Sequence, residues 1–178
     1  VENEKVRKGG GKSKGASFER KVCELLSKWQ SNGQDTSWYW RSAMSGGRAT
    51  VAKKSGKLLQ SQCGDITAID PRGSQFLNKF FVECKHVKSY NLSSFLLYNT
   101  GVMAKDWETA VKQAKDYNKI PLFICNLSSL GIVAVMPSYM NFVGLQYCWK
   151  VIVPDSNLMV LLFKQLLDEW KWDQIICD

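Results

Sequence analysis

Gly64-Asp65-Ile66 is followed, eighteen residues on, by Glu83-Cys84-Lys85 inside an apolar run. Two carboxylates can seat a hard divalent cation such as Mg²⁺, and a lysine beside them can orient a water and stabilise developing negative charge. Metal-dependent hydrolysis of a phosphodiester needs that combination. Glu-x-Lys also occurs as Glu19-Arg20-Lys21 and Glu169-Trp170-Lys171, but in helix-like segments, where residues two apart face nearly opposite directions. Only the middle copy lies in a strand-like run, Phe80 to Lys85, where positions two apart share a face. Glu83 and Lys85 then point one way, and Phe80, Val82 and Cys84 point the other, into a core. An ion pair on a half-exposed strand would look the same. The upstream Asp65 and the placement of charge along the chain favour the chemical reading.

These side chains need elements to carry them. Residues 1 to 15, with Gly9-Gly10-Gly11 and scattered lysines, are expected to form a flexible basic tail. A helix is predicted from near Ser17, with Phe18, Val22, Leu25, Leu26 and Trp29 as its buried stripe and Glu19 at the rim. Trp38-Tyr39-Trp40-Arg41 reads as a short strand, its tryptophans either core or stacking surfaces for unpaired bases. A long polar segment runs from Ser42 to Gly64, functional in its own right or hiding a hairpin near Ser55-Gly56. Asp65 to Asp70 is predicted as a strand, Pro71 to Ser74 as a turn, and Phe80 to Lys85 as the returning partner strand. Trp107, Ala110, Val111, Ala114 and Tyr117 mark an amphipathic helix. Strands are predicted over Ile120 to Asn126, Ile132 to Met136 and, at an edge, Lys150 to Val153, followed by a strongly apolar helix from Leu158 to Trp170. The order implies an α/β fold, a mixed central sheet flanked by helices, as one domain over residues 16 to 178 with a basic insert at about 46 to 64.

Composition narrows the function. Of the net charge of +8, all belongs to residues 1 to 57, which hold 13 Lys or Arg against 5 Asp or Glu; residues 58 to 178 hold 11 of each. Such asymmetry suits a surface that meets a polyanion, or a solvated tail that aids solubility. The longest apolar run, Leu158 to Phe163, is too short to span a bilayer, and the charged start of the chain lacks the apolar stretch of a secretory signal, so no membrane association is expected. Six scattered cysteines without a Cys-x-x-Cys pair, and one histidine, His86, argue against a zinc site and fit a reducing cytoplasm.

Glu19, Asp65, Glu83 and Lys85, in this order on a helix rim and two strands, resemble the PD-(D/E)XK nuclease superfamily, and within it the archaeal-type Holliday junction resolvases. The resemblance extends over Lys14-Gly15-Ala16 with Phe18-Glu19-Arg20, Arg41 to Ser45, Asp65-Ile66-Thr67-Ala68, Val82-Glu83-Cys84-Lys85 and Ile120-Pro121. Ser45-Gly46-Gly47-Arg48 and the basic insert also look like phage-borne endonucleases of the same superfamily. The resemblance implies a restriction-endonuclease-like core and a Mg²⁺-dependent DNA endonuclease, with Mn²⁺ able to substitute. It further implies action on branched or junction DNA in recombination and repair, and a homodimer; the Leu158 to Trp170 helix is either buried behind the sheet or, as the resemblance favours, part of the dimer face.

By the same resemblance, Asp65, Glu83 and the backbone carbonyl of Cys84 would hold the metal, with Glu19 completing the site directly or through water. Lys85 would position the attacking water, and Ser45 would stand at the active site with Ser42 as its substitute. Arg20 and Arg41 would contact phosphates; Lys12, Lys14, Arg48, Lys53 and Lys54 extend the basic surface. Nineteen residues, Gly46 to Gly64, separate Ser45 from Asp65, where resolvases have only a few. Gln113 and Tyr117 match the Gln-x-x-x-Tyr pattern of RecB-like nucleases, although Tyr117 also fits a packed position and Gln113 a solvated one. Two other readings remain open: a restriction-like or RecB-like nuclease acting on linear or single-stranded DNA, and a non-catalytic nucleic-acid-binding module.

Overall fold

The computed structural model describes residues 10–42, 63–87, 90–140, 150–153 and 157–170. Ser45, Arg48, Lys53, Lys54 and the expected hairpin near Ser55-Gly56 lie outside these residues, as does the side chain of Lys12. Helix α1 spans Gly10–Gln30 and so begins earlier than the Ser17 expected. Its buried stripe is Phe18, Val22, Cys23 and Leu26. Strands β1 (Tyr39–Arg41) and β2 (Ile66–Ala68) form an antiparallel pair. Helix α2 (Pro71–Lys79) leads into β3 (Phe80–Lys85), and α3 (Leu92–Tyr98) and α4 (Val102–Asp116) into β4 (Ile120–Leu127). β5 (Gly131–Pro137), β6 (Lys150–Val153), β7 (Leu158–Leu162) and α5 (Phe163–Glu169) complete the order.

The main sheet has the order β3-β4-β5-β7-β6. β3 and β4 run parallel and the remaining pairs antiparallel, so the sheet is mixed, as expected. Side-chain alternation divides the core between its faces. Val82, Cys84, Ile124, Ala134, Met136, Met159 and Leu161 pack with Phe18, Val22, Phe76 and Leu166 from α1, α2 and α5. Phe123, Cys125, Val133, Val135 and Val160 pack with Phe95, Trp107 and Ala110 from α3 and α4.

Three expectations are corrected. Pro71 to Ser74 opens a helix instead of closing a turn, because the Asp70 side chain accepts a hydrogen bond from the Arg72 N–H at 2.9 Å and Pro71 is already set for a first helical position. β2 does not pair with β3 along a ladder: its partner is β1, and β3 pairs with β4. The apolar run from Leu158 is a strand for its first five residues, with Leu158 and Val160 in one core and Met159 and Leu161 in the other. A short apolar run buried on both sides lacks the alternation that would separate strand from helix. Phe163, Leu166 and Trp170 are then buried with residues of α1 and α2, so this helix packs into the core with these side chains.

Candidate active site

β3 is an edge strand of the main sheet, and Asp65 is fixed to its free edge. The Asp65 N–H donates to the Val82 carbonyl at 2.9 Å, and the Cys84 N–H donates to Asp65 Oδ2 at 2.8 Å. The residue before it makes this approach possible. Gly64 has φ +79°, and a Cβ there would lie 2.5 Å from the Val82 carbonyl oxygen. Only glycine accepts both the left-handed backbone and the contact. On the other side, the Ser42 N–H donates to the Asp65 carbonyl at 2.7 Å, continuing the β1–β2 pairing past Arg41.

Alternation along β3 supplies the remaining groups. Val82 and Cys84 enter the α1 core, while Phe81 faces Ala114 and stacks on Tyr117, with ring centres 6.0 Å apart. Glu83 and Lys85 follow Phe81 on that face, joined by a hydrogen bond of 2.6 Å from Lys85 Nζ to Glu83 Oε1. Glu19, on α1, accepts from Arg41 Nε at 2.8 Å, so a cation already holds this carboxylate.

The electrostatics tie these groups together. Asp65 is 8% exposed. Burial, then the charge of Glu83 and more weakly that of Glu19, push its carboxyl up to about 7, against the pull of the Cys84 N–H and Lys85. For Lys85, burial opposes the charged form, but Glu83, Asp65 and Asp106 outweigh it and hold the ammonium above its usual range. Burial above all keeps the Cys84 thiol protonated and well above its ordinary value. A buried carboxylate crowded by other carboxylates lacks positive charge, and its available donors are hard oxygens. That chemistry suits Mg²⁺ or Mn²⁺ better than a thiolate-seeking metal. Among the described residues, no three His, Cys, Asp or Glu side chains gather into a metal-holding group, so a bound ion would draw further ligands from backbone carbonyls and water.

A family model described as "Phage putative PDDEXK endonuclease" matches residues 10–171. The chain belongs to that endonuclease family. No curated protein and no solved structure matches it. Membership bears out the PD-(D/E)XK resemblance, and the mixed sheet with helices on its faces agrees with the restriction-endonuclease-like core it implied.

Other residues anticipated for this phage-type endonuclease are placed as follows. Arg20 and Arg41 line one cleft of about 220 Å³, together with Cys23, Glu24, Thr36, Tyr39 and Trp40. Trp40 is 55% exposed, whereas Trp38 is buried beneath the Arg72 guanidinium; the two therefore do not present a common face. Lys14 is exposed on α1, and Ser42 is buried beside Asp65. Gln113 is exposed on α4, while Tyr117 belongs to the cluster around Phe81, with the Cys63 thiol accepting a contact of 3.0 Å from Lys119 Nζ. Sequence reasoning missed Asp106 and Tyr90. Tyr90 Oη donates to Asp106 Oδ2, and Asp106 is one of the acids that raise Lys85. The two lie 16 positions apart with helix α3 between them, so no local pattern marks them.

Proposed function

We propose that this endonuclease is a divalent-metal-dependent enzyme that hydrolyses DNA phosphodiester bonds, structure-specific for branched DNA in the manner of a Holliday junction resolvase and active as a symmetric dimer. One observation carries the reading: a glycine-dependent clamp seats Asp65 on the edge of the strand that bears Glu83 and Lys85. Asp65, Glu83 and the Cys84 carbonyl would hold Mg²⁺, or Mn²⁺ in its place, with Glu19 joining through water while Arg41 keeps its hydrogen bond. A bound ion of this kind polarises a phosphoryl oxygen and makes a water acidic. Lys85, kept charged by its acidic neighbours, orients the attacking water and stabilises negative charge as it grows on the phosphate. Cys84 contributes its backbone, its thiol being buried in the α1 core. Ser45, or Ser42 in its place, stands at the active site, and exposed Lys14 and Arg20 on α1, with Arg41, Lys12 and the basic insert carrying Arg48, Lys53 and Lys54, grip the backbone of the DNA.

The exposed Trp40, in the cleft that Arg20 and Arg41 also line, suits an unpaired base. It also favours a second reading, a RecB-like enzyme acting on single strands. Cleavage of a four-way junction, its linear duplex and a single strand, each with and without Mg²⁺, separates the two. The junction should be cut fastest, and only with metal. Asp65→Asn, Glu83→Gln and Lys85→Ala should each lower the rate by at least about 10²-fold while DNA binding persists. Wild-type rates in all three variants would refute the site.

A further inference from the structure

A second cleft opens on the α1 side, just past the carboxyl end of β3. Its walls are one stripe of α1 (Lys14, Ser17, Phe18 and Lys21, at spacings of three and four) and the residues at the carboxyl ends of two parallel strands, His86 just past β3 and Asn126 on β4. The cleft measures about 340 Å³. Phe18 meets His86 edge to face, with ring centres 5.5 Å apart, which fixes the imidazole by its ring. Within the described residues, none of the five polar side chains has a hydrogen-bond or ion-pair partner. Glu24, the acid on which Lys21 acts, is taken by Lys28 at 2.7 Å. Among the described residues no carboxylate lines the cleft, which holds two ammonium groups, an imidazole, a hydroxyl and an amide. A metal ion would find no anionic ligand there, and an apolar ligand would strand five polar groups. An anion with several acceptor oxygens satisfies them.

We infer that this cleft binds a non-scissile phosphate of the DNA strand, through Lys14, Lys21, Ser17, His86 and Asn126, and thereby sets which linkage reaches Asp65, Glu83 and Lys85. The placement favours nucleic acid over a free anion: His86 directly follows Lys85 and Phe18 directly precedes Glu19, so each wall of the cleft is one residue along the chain from a group of the candidate active site. The inference rests on the proposed DNA-cutting function for its meaning, but its test does not depend on cleavage.

The experiment uses whichever of a four-way junction, a linear duplex and a single strand the wild-type chain binds most tightly. Each backbone phosphate in turn is replaced by a neutral methylphosphonate, and affinity is measured with divalent metal withheld. One or two linkages should each lower wild-type affinity about tenfold. The exposed pair Lys14→Ala with Lys21→Ala should bind the unmodified probe more weakly and lose its sensitivity at those same linkages. Lys14→Arg with Lys21→Arg should restore it. A double alanine variant that keeps the wild-type profile, or that binds the unmodified probe as tightly, overturns the assignment. A flat profile in both proteins, expected of a site for free anions, also overturns it. Cleavage of the unmodified probe by the wild-type chain with Mg²⁺ is scored separately: no cleavage with the shifted profile present removes the nuclease activity and leaves the cleft assigned.

Discussion

Asp65 is at once the most constrained and the most uncomfortable side chain in the protein. Its carboxyl is lifted from an ordinary 3.8 to about 7, by burial first and by Glu83 next. In the metal-free protein the folded state therefore holds this proton more tightly than the unfolded chain does. The stability that follows is complete below about pH 4 and is lost as pH rises through 7. The metal-free melting temperature should fall between pH 5 and 8, by about 2 to 4 °C for each kcal/mol lost. Asp65→Asn, whose amide oxygen can still accept from the Cys84 N–H, should flatten that decline, and Mg²⁺ should reverse it at pH 8 in the wild type. Thermal denaturation across this range decides the matter: equal slopes for the two proteins would remove the electrostatic strain argued for the site. At this scale the sequence was informative for Glu83 and Lys85, which alternation along one strand orients together, whereas the seat of Asp65 depends on the Gly64 clamp. What it hid were partners far along the chain. Arg41 taking up Glu19, and Asp106 acting on Lys85, follow from packing that no spacing rule encodes.

At the scale of elements, α2 is the instructive case. Read as a turn, it is instead a helix whose Phe76 is fully buried and whose ring lies 4.9 Å from Phe80, 5.6 Å from Trp29 and 6.1 Å from Tyr39. It joins α1, β1 and the start of β3, and so sets how the Asp65 segment meets the strand bearing Glu83. Phe76→Ala should cost about 3 to 5 kcal/mol, read as a lowered urea midpoint. A loss under about 1 kcal/mol would mean that the cluster does not hold these elements together. Amphipathic elements were legible: the burial of Phe18, Val22 and Leu26 on α1, and of Trp107, Ala110 and Ala114 on α4, follows their spacing. The elements that were misread have in common a signal that period cannot supply. α2 depends on a capping aspartate and a proline, and β7 on lying between β5 and β6 with both faces buried.

Over the whole molecule, charge and chemistry are segregated in the chain yet brought together in the fold. The excess positive charge belongs to the first third, and α1 carries part of it, as exposed Lys14, Arg20 and Lys21, to the sheet that bears the acidic residues. If that surface meets DNA, binding releases counterions from several phosphates. The affinity of Asp65→Asn for its preferred DNA should then fall at least about a hundredfold between 50 and 200 mM salt. A salt-insensitive affinity would assign the basic third to solubility alone. No described helix is long and apolar enough to cross a membrane.

The clamp on β3 has a consequence beyond chemistry. An outermost strand offers unsatisfied amides and carbonyls to any other chain that passes, a standing invitation to stack into aggregates. Here Asp65 takes two of those groups, the Val82 carbonyl through its own amide and the Cys84 amide through its carboxylate. The atoms proposed to assemble a reaction centre thus also blunt the sheet's open margin, so selection for solubility and selection for activity bear on the same glycine and the same aspartate.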